Sequence, residues 1–332
     1  MSRVHILATS CAIAEIAAPE IDQDYPAMSG TVEVDVEQVV RAAPDVCALA
    51  SLEVESFAPL ARRDVDEYVW TRLAARINGL FATDAADAVV ITHDADTIEE
   101  TAYYLHLVVK SNRPVVLTCL SRSASSLGCD CPRNLYNAIA VATDGRTYGR
   151  GAILAVNDNL HSARDVTTVS STDTQTFASP GRGLLGIVTL GHIRYFRRPT
   201  RCHTAETQFS ADLSERLPRV DILYSHVDMS VDLVSACVSL GASGIVIAGV
   251  GNGNVPCKVA RELAEVAKRG MIIVRSSRVE SGDAMREREL DGKAMNLVAA
   301  DRLNPQKSRV LLQLCLAKGM DRDAIRQAFR RY

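Results

Sequence analysis

What this 332-residue sequence lacks narrows its class before any motif is read. It has no excess of positive charge: 37 Lys and Arg against 40 Asp and Glu leave a formal net charge of -3. Nucleic acids and anionic membrane surfaces attract basic proteins, so neither is an expected partner. No apolar run approaches the roughly 20 residues needed to span a bilayer. The opening Met1-Ser2-Arg3-Val4-His5-Ile6-Leu7-Ala8 runs directly into a strand pattern without the layout of a secretory leader, and a cytoplasmic location is the expectation. Nine cysteines, an odd number scattered from Cys11 to Cys315, do not read as a disulfide framework. Cys129-Asp130-Cys131 has no second Cys/His pair at zinc-like spacing, so no metal is expected. The loop Gly249-Val250-Gly251-Asn252-Gly253-Asn254 is not the dinucleotide fingerprint, and no cofactor is expected.

What is present reads as an α/β protein of two domains. The chain is long enough for each domain to bury its own core. Continuous apolar runs such as Ala88-Val89-Val90-Ile91-Thr92 and Ala152-Ile153-Leu154-Ala155-Val156 alternate with helical patterns, the signature of a parallel sheet with crossover helices. A larger N-terminal domain over 1–192 and a smaller C-terminal α/β domain over 217–332 are expected. The polar stretch 193–216, with Arg194, Arg197, Arg198, Pro199 and Arg201, reads as a linker between them. The strand Val4–Ala8 runs into Thr9-Ser10-Cys11-Ala12, which places those residues at the carboxyl end of a first strand. Ligands of open α/β sheets collect there.

Several motifs in order then carry a family resemblance. They are Ile91-Thr92-His93 with Asp96-Thr97-Ile98-Glu99-Glu100-Thr101-Ala102, Asn134-Leu135-Tyr136-Asn137-Ala138, the glycine loop at 249–254, Val274-Arg275-Ser276-Ser277-Arg278-Val279, and Leu303-Asn304-Pro305-Gln306-Lys307. Through them the chain resembles the bacterial-type L-asparaginase/glutaminase family over nearly its whole length. The resemblance implies a homotetramer of intimate dimers acting on a small amino-acid-like ligand. It also implies a site built from two threonine hydroxyls, a Lys-Asp pair, a tyrosine and a serine, completed by an Asn and a Glu of the neighbouring subunit. Carried across, the nucleophilic Thr falls on Ala12, the second Thr on Ala95, the Asp on Asp96 and the Lys on Thr168. The Tyr falls on Tyr25, the Ser on or near Arg62, and the partner's pair on Asn254 and Glu289.

A methyl group at position 12 cannot attack an amide carbonyl. Losing one nucleophile can cost a hydrolase on the order of a millionfold in kcat. The missing ammonium at 168 also leaves Asp96 without that charge partner. Substitution adds groups as well: Ser10 and Cys11 either fill space or offer a relocated nucleophile. Asp94 beside Asp96 makes either a proton-sharing acid–base pair or a solvent-facing carboxylate next to a ligand-binding one. Arg62 either holds a carboxylate bidentately or occupies the pocket. Three functions follow as expectations. The first is a repurposed enzyme whose catalytic groups are drawn from Asp96, Asp94, Tyr25 and Cys11. Ser10, Ala12, Arg62, Ala95, Thr168, Asn254 and Glu289 would then line its binding site. The second is a non-catalytic homologue binding a metabolite or partner, and the third a hydrolase with a substitute nucleophile.

Overall fold

The structure, a computed structural model, describes residues 1–10, 15–16, 32–33, 40, 46–60, 65–119, 130–211, 216–280, 282 and 295–332. The chain divides into two units, Met1–Asp212 and Leu213–Tyr332.

The first unit is built on an eight-stranded sheet. Its strands are β1 (Arg3–Ser10), β2 (Ser51–Leu60), β3 (Ala88–Thr92), β4 (Val115–Thr118), β5 (Ala152–Val156), β6 (Asn159–Ser162), β7 (Gly186–Thr189) and β8 (His192–Tyr195). The spatial order is β8-β7-β6-β5-β4-β3-β1-β2. Pairings from β2 through β5 are parallel, with Ala8 opposite Thr92 and Thr92 opposite Thr118. The strands β3, β4 and β5 are buried at every position. That is why their sequences are continuous apolar runs rather than alternating ones. Helices α1 (Val46–Leu49), α2 (Glu67–Ala82), α3 (Ile98–Val108) and α4 (Cys131–Thr143) accompany the sheet. Leu135, Ala138, Ile139 and Ala142 of α4 share one core with Val4, Ile6, Val90, Val116 and Ile153. Asp66 caps α2 by accepting from Val69 N at 3.0 Å. From α2, Trp70 donates to Thr101 Oγ1 at 2.8 Å and stacks on Tyr104 with centroids 5.2 Å apart.

The expected parallel sheet is extended at one edge by antiparallel pairings, β5–β6, β6–β7 and β7–β8. Two tight connections make this possible. Asn157 and Asp158 have φ of 47° and 60°, and Leu190 and Gly191 have φ of 47° and 81°. Paired positive φ is the type I′ arrangement whose twist suits adjacent antiparallel strands. The expected linker at 193–216 is corrected, because residues 193–195 lie inside β8 and the first unit continues to Asp212. Of the arginines there, only Arg194 lies in this edge strand. The strand's Ile193 O is covered by Arg146 at 3.2 Å; just beyond the strand Arg150 donates to Arg197 O at 2.6 Å, and its guanidinium lies 3.8 Å from the Tyr195 ring centroid. Charged side chains over an edge block further strand pairing.

The second unit is a four-stranded parallel sheet, in the order β9 (Val220–Tyr224), β10 (Gly244–Gly249), β11 (Ile272–Ser277) and β12 (Val298–Ala299). Helices α5 (Asp232–Ser239), α6 (Cys257–Lys268), α7 (Pro305–Ala317) and α8 (Arg322–Arg331) complete it. Asn304 caps α7 through Lys307 N, with Pro305 in the first turn, where a missing N–H costs nothing. This unit matches the expected smaller α/β domain.

Candidate active site

The carboxyl ends of β1, β3 and β4 lie side by side. Thr9 Oγ1 donates to Thr92 O at 3.1 Å, and His93 N donates to Thr118 O at 3.0 Å. The chain leaves β3 in a turn over 93–97 that opens α3. Asp94 is buried, and its Oδ1 accepts the Asp96 main-chain N–H at 2.8 Å; Asp96 itself is exposed. The two acids therefore have unlike settings: Asp94 shapes the turn and Asp96 faces outward. Ala95 lies between them, partly buried.

His93 is 1% exposed, and its Nδ1 contacts Asp94 O at 2.9 Å. Desolvation lowers its pKa to about 4, so the ring is neutral near pH 7. With Nδ1 donating to the carbonyl, Nε2 has no partner among the described residues. Cys119, directly after β4, is buried. Burial, with the Asp130 and Asp94 carboxylates adding to it, raises its thiol pKa well above the ordinary value, so it is a poor source of thiolate.

Thr168 is exposed and lies on a two-residue ribbon strand paired with Phe177–Ala178. Its main-chain N–H donates to Glu99 Oε2 at 2.9 Å, and its hydroxyl to the same oxygen at 3.4 Å. Glu99 is 6% exposed. An acid in the first turn of α3 reads from sequence as a complement to the helix dipole. The structure adds that its carboxylate joins this turn to the 167–178 ribbon, a role sequence reasoning missed. The first unit thus gathers Asp94, Ala95, Asp96, Glu99 and Thr168.

Ser10 ends β1, where its backbone pairs with Leu60 after a register shift that follows Ala8. Cys11, Ala12, Tyr25, Arg62 and Glu289 lie outside the described residues. In the second unit Asn254 closes the glycine loop: Val250 N donates to Asn254 O and Asn254 N to Val250 O, each at 2.8 Å. Gly249 admits no side chain, since a Cβ there would meet the Gly253 carbonyl carbon at 2.2 Å. Among the described residues no group of three or more His, Cys, Asp or Glu side chains is placed to hold a metal ion. No helix among them is long and apolar enough to cross a membrane.

Comparison with known proteins places this geometry in a family. The N-terminal asparaginase domain model matches residues 3–201, and the glutaminase/asparaginase C-terminal domain model matches 219–329. L-asparaginase 2 of Escherichia coli is 42% identical over 90% of this chain and 86% of its own length. A probable periplasmic L-asparaginase of Haemophilus influenzae is 39% identical over 99% of this chain and 93% of its own. A glutaminase-asparaginase of Pseudomonas fluorescens is 34% identical over 100% and 91%. A crystal structure described as a probable cytoplasmic L-asparaginase from Campylobacter jejuni superposes with a TM-score of 0.91 at 35% identity, covering 100% of both chains. These relatives overturn the expectation of a repurposed or non-catalytic protein. Likeness spread over the whole length to proteins named for asparagine and glutamine hydrolysis points to ordinary asparaginase function. That expectation weighed a few altered positions above the rest of the chain. With both of its domain models matched in order, this chain belongs to the asparaginase family.

Proposed function

We propose that this protein hydrolyses the side-chain amide of L-asparagine, giving aspartate and ammonia. The observation that carries this reading is full-length similarity to L-asparaginases on a fold whose carboxyl edge presents Asp96 beside the buried Asp94. Position 12 offers a methyl group, so the reaction is written with water as the attacking group. The water oxygen bonds to the amide carbon and its proton passes to the Asp96 carboxylate. The C–N bond then breaks, and the nitrogen leaves as ammonia after taking a proton back. Asp94 orients Asp96 through the turn, and Tyr25 donates toward the leaving nitrogen. Ser10, Cys11, Ala12, Ala95 and Thr168 line the substrate, and Arg62 holds its carboxylate.

The proposal includes a homo-oligomer, a tetramer of intimate dimers, in which Asn254 and Glu289 of a neighbouring copy hold the substrate's ammonium. A cytoplasmic location is also proposed. The described location of the Campylobacter jejuni relative supports it, the Haemophilus influenzae name opposes it, and cell fractionation decides.

The test is ammonia release from L-asparagine and L-glutamine by purified protein, with Asp96→Asn purified identically as the blank. General acid–base catalysis contributes typically 10²–10⁴-fold, so the variant is expected to lose about a hundredfold or more. Release by the unaltered protein no faster than by the variant refutes the reading.

A further inference from the structure

Asn134, in the first turn of α4, is 3% exposed and makes three side-chain hydrogen bonds. Nδ2 donates to Cys119 O at 3.0 Å and to Asp130 Oδ2 at 2.9 Å, and Oδ1 accepts the Asn157 N–H at 3.0 Å. One amide thus joins the residue after β4, the residue before α4 and the turn between β5 and β6. Cys119 follows Thr118, whose carbonyl accepts from His93 N, and Asp94 in turn accepts from Asp96 N. A continuous line of bonds runs from the 157–158 turn to the backbone of Asp96. Buried amides that satisfy several main-chain groups at once hold one arrangement against its alternatives.

We propose that Asn134 is a positioning residue for the hydrolysis: by anchoring Cys119, Asp130 and Asn157 together, it holds the end of β4 and so the 93–96 turn where Asp96 needs it. The link to hydrolysis rests on the function proposed above; the link to the turn does not.

The test is Asn134→Asp. Its new oxygen in place of Nδ2 cannot donate to Cys119 O and repels the Asp130 carboxylate, while the other oxygen still accepts from Asn157. Two readouts are taken on the full chain: steady-state ammonia release, and hydrogen exchange of peptides spanning 89–98. A misplacement on the order of an ångström can cost a hundredfold in rate. The folded variant is therefore expected to lose about tenfold to a hundredfold in kcat, with KM within about threefold. The His93 and Asp96 amides are expected to exchange about tenfold faster, as local opening becomes easier. A role confined to stability would leave kcat per folded molecule unchanged, and that result overturns the proposal. Unchanged exchange at 89–98 overturns it too, whether or not the protein releases ammonia. Faster exchange in a protein that releases none removes the proposed function and the link to hydrolysis, and leaves Asn134's hold on the turn standing. If Asn134→Asp does not fold, Asp130→Ala breaks one arm alone. It is expected to move both readouts the same way by about threefold, and two unchanged readouts overturn the proposal.

Discussion

At the scale of single residues, His93 shows how a group beside a site serves without reacting. Its pKa is lowered to about 4 by burial, against about 6.5 in the unfolded chain. The unfolded state therefore binds the proton more readily, and stability rises with pH across that interval. A shift of this size corresponds to about 3 kcal/mol, present in full above about pH 6.5 and lost progressively as pH falls toward 4. Urea unfolding at stepped pH values should show this slope, and His93→Gln should flatten it; an unchanged slope in the variant would assign the effect elsewhere. The candidate site was partly legible at this scale. Asp94 and Asp96 stand out because two carboxylates flank one residue just after an apolar strand. Which of them faces outward did not, since that follows from a side-chain bond to the Asp96 amide. The Glu99–Thr168 contact was invisible because the partners lie 69 residues apart, and no local pattern reports such a pair.

At the scale of elements, the parallel strands could be read directly, since burial on both faces enforces the unbroken runs at 88–92 and 152–156. The antiparallel edge could not. Asn157-Asp158 carries a recognisable turn signal, but Leu190 at positive φ does not, because a leucine there is held by context and not by preference. The start of the stretch, with Arg194 in β8, looked like solvated linker because an edge strand alternates exposed and covered positions. Arg150 is the element that distinguishes the two readings. It donates to Arg146 O at 2.7 Å and Arg197 O at 2.6 Å over the face of Tyr195. Arg150→Ala should destabilise the first unit by about 2 kcal/mol and uncover the Arg197 carbonyl, just beyond the edge strand. Denaturant unfolding with light scattering checks both effects; a variant as stable and as soluble as the parent would show that the cover is incidental.

At the scale of the whole molecule, the proposed site draws Asp96 from one copy and Asn254 from another. Mixing two inactive variants is then informative. If Asp96→Asn and Asn254→Ala each abolish ammonia release, co-refolded mixtures should recover about a quarter of the sites, because half of randomly formed dimers are hybrid and each hybrid holds one intact site. No recovery from the mixture would place both residues in sites contained within one chain.

Trp70 is the sole tryptophan of the chain and lies in the first unit, pressed against Tyr104 with its indole N–H committed to Thr101. Intrinsic indole emission is therefore a private reporter: it witnesses the larger unit losing its packing and is blind to the smaller one. Set beside far-ultraviolet dichroism, which sums over both, it tells whether the two halves melt as one body or in succession, without a label or a truncation.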